Sequence, residues 1–242
     1  MRRGSRKICV IDRTELGEWD SLATRLATLR KLIRSTHMVN FYWESVSHKI
    51  AGNHPFELAT AISDAHAHRE AGWMVEYSGA KKVIRELLKI DPSSVWRALK
   101  PHLTSKADAI VFTIGFPRDV IDQIPANQVM EWISEEPKER AAIVAHLASK
   151  DFSSDETLPS RILGQFGNSE VVGSAFFSNF IHGVFSGPAS THWANLAAQL
   201  LEVSQRTRLP QLSRWAQGAS ASLKRMAQQE RQREEEAEIR GS

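Results

Sequence analysis

The string DAHAHRE (64–70) is the most metal-like stretch of the chain. On a helix Asp64 and His68 lie four residues apart and share a face, whereas His66 points about 160° away from His68. One face thus offers two ligands, and zinc takes at least three from the protein. His102, His146, His182 or His192 would complete a set only through tertiary placement. Neither a metal nor a cofactor is therefore expected, and histidines facing solvent beside Arg69 and Glu70 are the plainer reading. PRDVIDQ sets Asp119 and Asp122 three apart, on one helical face. Paired carboxylates can move protons, but Asp119 falls in a first turn after Pro117, where a negative charge suits the helix dipole. Cys9 lies in a basic segment that would favour its thiolate, and a catalytic role would need a histidine that the sequence does not place beside it. No G-x-S-x-G elbow, P-loop or G-x-G-x-x-G is present. GQFGNSE (164–170) reads as a helix end followed by a new start at Asn168 or Ser169. No catalytic residue is expected.

Recognition chemistry is better represented than reaction chemistry. VNFYWESVSHK (39–49) clusters Phe41, Tyr42 and Trp43 near Lys31, Arg34, His48 and Lys49. Three consecutive aromatics cannot all face one side of a helix, so at least one is expected at the surface or an interface. Phe41, Tyr42, Trp43, Arg34 and Lys49 are accordingly the candidate partner-binding residues. Aromatics interleaved with cations also suit base stacking and phosphate contact. In that alternative Lys31, Arg34, Lys81, Lys82 and Arg85 would contact nucleic acid.

Helical periodicity runs almost throughout. Leu22, Leu26, Leu29 and Ile33 mark one face of a helix, as do Val83, Leu87 and Ile90, and Leu196, Leu200 and Val203. Leu212, Trp215, Ala219, Leu223 and Met226 form the longest stripe. KICVID (7–12) and AIVFTIGF (109–116) are the strand candidates, and the second reads equally as a buried helix. Prolines 92, 125, 137, 159, 188 and 210 are expected to open helices, since a first-turn N–H has no helical partner to lose. Asp91 with Ser93 and Ser94 supplies capping chemistry. Gly52, Gly72, Gly167 and Gly187 are expected helix ends. Trp96, Trp132, Trp193 and Trp215 lie on apolar stripes and are expected in the core.

Pro92, Pro125, Pro159 and Pro188 recur at separations of 33, 34 and 29 residues, and P-x4-W occurs at Pro188–Trp193 and Pro210–Trp215. A period near 30 residues is that of helical hairpins in an α-solenoid. The expected fold is all-α: a right-handed stack of helical hairpins, with an irregular helical bundle as the alternative. Residues 1–13 read as an N-terminal tail and 14–226 as one helical repeat domain, with a sub-stack break or surface loop at 149–160. Residues 227–242 read as a charged C-terminal extension that continues the last helix in solvent, pairs Arg231 with Glu235, and frays.

With 242 residues, 42% hydrophobic and 24% charged, the chain can bury a core without staples. A single cysteine excludes an intramolecular disulfide, so a reducing cytoplasm is expected. No apolar run approaches the roughly 20 residues of a membrane span, and the start lacks the apolar segment of a signal peptide. Residues 1–106 carry 18 Lys+Arg against 11 Asp+Glu, and residues 107–242 carry 13 against 17. The basic front admits an anionic partner, although solvated helix faces account for it equally simply.

Residues 187–236, with His192-Trp193 followed by Pro210, Arg214, Trp215 and Ala216, resemble the C-terminal HEAT-like repeats of large bacterial multidomain proteins of the NTPase and phage-defence type. The resemblance implies an interaction scaffold and transfers no catalytic residue. A non-catalytic module, scaffold or regulatory, holding a protein partner and acting in a bacterial antiviral defence assembly, is the leading expectation. The alternative is a HEAT-like nucleic-acid binder or an enzyme similar to the helical-repeat DNA glycosylases, with Trp43, Trp96 and Asp64 lining a basic groove.

Overall fold

Proline and its neighbours decide where the helices begin, and the outcome is an all-α fold. The computed structural model describes residues 51–67, 79–105, 120–181 and 185–241, and no strand occurs among them. Phe41, Tyr42, Trp43, Lys31, Arg34, Lys49, Cys9, the Leu22–Ile33 stripe, His68, Gly72, Asp119 and both strand candidates lie outside these residues. The described helices are α1 (Pro55–Ala67), α2 (Gly79–Ile90), α3 (Pro92–Leu99), α4 (Ala126–Glu135), α5 (Pro137–Leu147), α6 (Leu158–Phe166), α7 (Glu170–Ile181), α8 (Ala189–Arg206) and α9 (Pro210–Gly241). Short 3-10 turns occupy Lys100–His102 and Ile121–Gln123.

Pro92, Pro137 and Pro210 are first residues of their helices, as expected. Pro159 is the second residue of α6. Pro125 and Pro188 instead stand one residue ahead of α4 and α8, with ψ of 120° and 133°. The ring fixes φ alone, and its value suits an extended cap as well as a first turn, so ψ decides the boundary. Asp91 caps α3, accepting from the Ser94 N–H at 3.0 Å and the Ser94 hydroxyl at 2.5 Å. Ser93 is used elsewhere, accepting from Gln128 Nε2 at 2.8 Å and so tying α3 to α4. Gly167 follows α6 in a right-handed conformation, and Ser169 immediately precedes α7. Gly187 does not end a helix; with φ of +91° it turns the chain just ahead of Pro188, a conformation that suits a residue without Cβ.

Helices pack on their sequence neighbours, on the next but one and, for α6 with α9, on the third along. α1 lies against α2 and α3, α5 against α4, α6 and α7, and α9 against α8 and α6. Helix α5 is enclosed on several sides, with Ala141, Val144 and Ala145 fully buried, and its alanines let α7 approach. Leu58, Ile84, Leu87 and Val95 close the front of the core, and Ile133, Phe176, Leu200 and Leu223 the back. The two ends meet where Trp96 meets Trp132 edge-on, with ring centres 5.3 Å apart; such a pair adds about 0.5–1.5 kcal/mol beyond its buried area. Ile90 departs from the expected stripe: Val83 and Leu87 are buried, but Ile90 is 51% exposed. It is the last residue of α2, and the chain turns away at Asp91.

The connection 148–157 is a packed element. Phe152 is buried against Phe176, Phe180 and Trp215, with centroids 5.8–6.4 Å away. Arg206 donates to the Phe152 carbonyl, and Thr207 Oγ1 donates to Asp155 Oδ1 at 2.6 Å. The Ser149 N–H donates to Asp122 Oδ2 at 2.8 Å. The connection therefore joins α5 to the turn before α9.

The last helix continues past Met226 as expected, to Gly241, and from Gln228 to Arg240 it is exposed apart from the partly buried Glu230 and Glu234. α9 runs antiparallel to α8, with Ser213 Oγ on Ser204 O and Ser220 Oγ on Ala197 O. Its buried stripe continues through Ala227, and full burial of a side chain such as Leu223 contributes about 1.5–3 kcal/mol. Further on, Glu234 receives the Ser190 N–H at 3.2 Å and the Ser190 hydroxyl at 2.5 Å. Ser190 is the second residue of α8, so a carboxylate from α9 caps the helix beside it. The tail's ion pairs are Glu230–Arg233 and Glu236–Arg240, not Arg231–Glu235.

Three carboxyls carry the acid response of these joints. The hydroxyls of Ser94, Thr207 and Ser190 are the first cause holding Asp91, Asp155 and Glu234 below the usual carboxylate range. A group whose folded pKa is depressed stabilises above its unfolded value, and that contribution fades as the pH falls through the folded one. The expected result is a Tm flat between about pH 7 and 5 that declines below about pH 4. Combined Asp91→Asn, Asp155→Asn and Glu234→Gln should lower the plateau and shallow the decline. An unchanged acid limb, followed by circular dichroism, would refute the assignment.

Candidate interaction groove

Tertiary packing does bring one histidine to Asp64. His102 Nε2 lies 3.1 Å from Asp64 Oδ1, because the 3-10 turn after α3 folds back over the end of α1. His146 and His192 lie apart from this pair: His146 is on α5, and His192 stacks on Phe185 at 4.2 Å. Among the described residues no group of three or more His, Cys, Asp or Glu converges on a common point. Asp122, half of the sequence's carboxylate pair, receives the Ser149 N–H as a structural tie. Trp96, a candidate for base stacking, is 3% exposed and faces Trp132, so it offers no face to a nucleotide.

A small depression lies at Lys150, Phe180, Gln199 and Arg206, and three others adjoin along α4, α5, α7 and α9. The first of these three, of about 370 Å³, lies between the turn at Lys100–Thr104 and Trp132, Glu139 and Arg140. It shares Thr104, Glu139 and Ile143 with a second, of about 620 Å³, which reaches Glu170, Val171 and Ser178. Ser174 and Ser178 continue into a third, of about 370 Å³, bounded by Arg214, Trp215 and Ser222. The three depressions adjoin through these shared residues as a stepped groove, with α7 standing between the second and the third.

Each wall has a local cause. Arg140 lies over the Trp132 ring at 4.7 Å, donates to the Trp132 carbonyl at 2.9 Å, and pairs with Glu135 and with Glu136 at 2.9 Å. Those bonds brace the sharp α4–α5 turn and raise the arginine's pKa, first through Glu135. Gly173 lets the Trp215 indole lie against α7: a Cβ there would sit 3.2 Å from the ring, whose Nε1–H donates to the Gly173 carbonyl at 3.0 Å. Ser174, Ser178, Gly218 and Ser222 are small, so neighbouring helices leave space between them. Val171, 62% exposed, stands on the rim.

Of the residues singled out for nucleic acid, Lys82 and Arg85 are described and exposed on α2, with Lys89 further along the same side. Lys81 lies in the first turn of α2. The sequence reasoning missed the groove. Its signal was present as small residues four apart, Ser174/Ser178 and Gly218/Ser222, on faces that no apolar stripe claims.

The described chain is thus an all-α protein with a groove crossing its helices, and no helix among the described residues is long and apolar enough to cross a membrane. Compared with protein-family models, curated proteins and solved structures, the chain finds no match.

Proposed function

We propose that the chain is a HEAT-like helical-repeat module, without bond chemistry of its own, that holds a protein partner in this groove. The observation that carries the reading is the continuity of the three depressions across α4, α5, α7 and α9. A floor of small side chains between rigid helices admits a partner's side chains at low cost in reorganisation. Packing of α1 on α3 and α5 on α7 supports a stack of hairpins, whereas α6 on α9 is the feature an irregular bundle would share. The resemblance of residues 187–236 to repeats of bacterial defence proteins supports a scaffold or regulatory role in such an assembly.

Lys82, Arg85 and Lys89 on one exposed side of α2 favour a second reading, contact with nucleic acid. The two readings separate by mutation and salt. Ser174 is exposed and lines two sections of the groove, so Ser174→Trp should fill it at little cost to the fold. Affinity capture from the native host is expected to retain a stoichiometric protein with the wild type and with Lys82→Glu/Arg85→Glu, and to lose it with Ser174→Trp. Equal capture by wild type and Ser174→Trp overturns the groove reading. Binding of a duplex oligonucleotide that weakens with salt and is lost in Lys82→Glu/Arg85→Glu would establish the second.

A further inference from the structure

We infer that the groove is selective for a basic amphipathic segment, its cationic side chains meeting Glu139 and Glu170. The inference rests on the groove being the partner site and adds the chemistry of the partner. Among the described residues lining the 620 Å³ central section, two are carboxylates and none is lysine or arginine. Outside that section the carboxylates are answered: Glu135 and Glu136 both pair with Arg140. Among the described residues no lysine or arginine pairs with Glu139 or Glu170, although Glu139 shares the first depression with Lys100 and Arg140. Glu139 lies in the first turn of α5 and Glu170 in the first turn of α7, so each already complements its helix dipole without being neutralised by a side chain.

Beside these carboxylates the section presents Ala142, the exposed Val171 and the edges of the buried Ile143 and Ala175, with His146, Ser174 and Ser178 among them. A carboxylate pair beside such apolar side chains matches a helix with leucine or alanine on one face and lysine or arginine beside it. Phosphate would be repelled here, which separates this surface from the basic side of α2. Three helices side by side span about 20 Å, which about 14 residues of helix cover.

The test uses three fluorescein-labelled amphipathic peptides of about 14 residues with the same leucine–alanine face. Their polar faces carry lysine, glutamine or glutamate. Fluorescence anisotropy with the full chain at low salt is expected to rank lysine first and glutamate last, since exposed charges act most strongly when unscreened. Glu139→Gln/Glu170→Gln should weaken the lysine peptide about fivefold and leave the glutamine peptide unchanged. Ser174→Trp should abolish binding of the lysine peptide. Equal binding of all three peptides, lost in Ser174→Trp, overturns the charge selectivity while the groove reading stands. Lysine-peptide binding that persists in Ser174→Trp places the contact elsewhere and overturns the inference. No binding by any peptide overturns the inference alone, because the groove reading is decided separately by capture from the host with wild type and Ser174→Trp. Circular dichroism of each variant confirms that the helices are retained.

Discussion

Replacing Phe152 with alanine is expected to lower the unfolding free energy by about 3–5 kcal/mol, the range for truncating a well-packed buried phenylalanine. Phe152 is 6% exposed and touches Phe176, Phe180 and Trp215, which belong to α7 and α9. No backbone helix holds it there. It rides on an irregular connection whose position depends on Arg206, Thr207 and Arg208 contacts to its carbonyl and to Asp155. Removing the ring leaves a cavity between two helices, α7 and α9, whose three aromatics cannot close it together, so the loss should sit at the upper end. Ser153→Ala, one residue on and exposed, should stay within about 0.5 kcal/mol. Urea denaturation followed by far-ultraviolet circular dichroism measures both. A Phe152→Ala loss under about 1.5 kcal/mol, against the full range for such truncations, would show that the connection is not anchored by this side chain.

That ring was visible in the sequence as the lone aromatic in SKDFSSDETLPS, and its role was not. Polar neighbours identify a surface connection; whether one ring turns inward depends on a hollow formed by helices far along the chain. Helix starts were more legible because proline and Asp91 act locally. Tryptophan burial followed from the stripes, and Trp96, Trp132 and Trp193 are buried while Trp215 is partly so. Glu234 shows the opposite case. It continues the row of Leu223, Ala227 and Glu230 at helical spacing, but only the neighbouring N-terminus of α8 turns a tail glutamate into a cap. The Asp64–His102 contact likewise joins residues 38 apart that no local rule connects. The groove was least legible, because small hydroxyls and glycines are defined by the space they leave.

Leu58→Ala and Leu200→Ala are each expected to cost about 2–5 kcal/mol, and the informative part is the shape of the transition. Both leucines are 0% exposed, one on α1 near the described front and one on α8 at the back. Stacked hairpins couple through nearest-neighbour interfaces, so a long array can lose cooperativity at a weak joint. The weakest joint on sequence grounds would be 149–160, but there Phe152, Asp155 and Ser149 each reach across to other elements. Further forward, the Trp96–Trp132 contact and the Gln128–Ser93 bond link α3 to α4. With both joints bonded and the buried residues forming one cluster, each variant should lower the midpoint of a single urea transition. Circular dichroism and tryptophan fluorescence should coincide, with an m-value close to that of the wild type. Leu58→Ala giving a biphasic curve while Leu200→Ala shifts only the second phase would divide the chain into two independently melting halves. The proposed groove would then draw on both halves, since Lys100–Thr104 lie ahead of α4 while Ile143, Val171, Ser174 and Trp215 lie behind it.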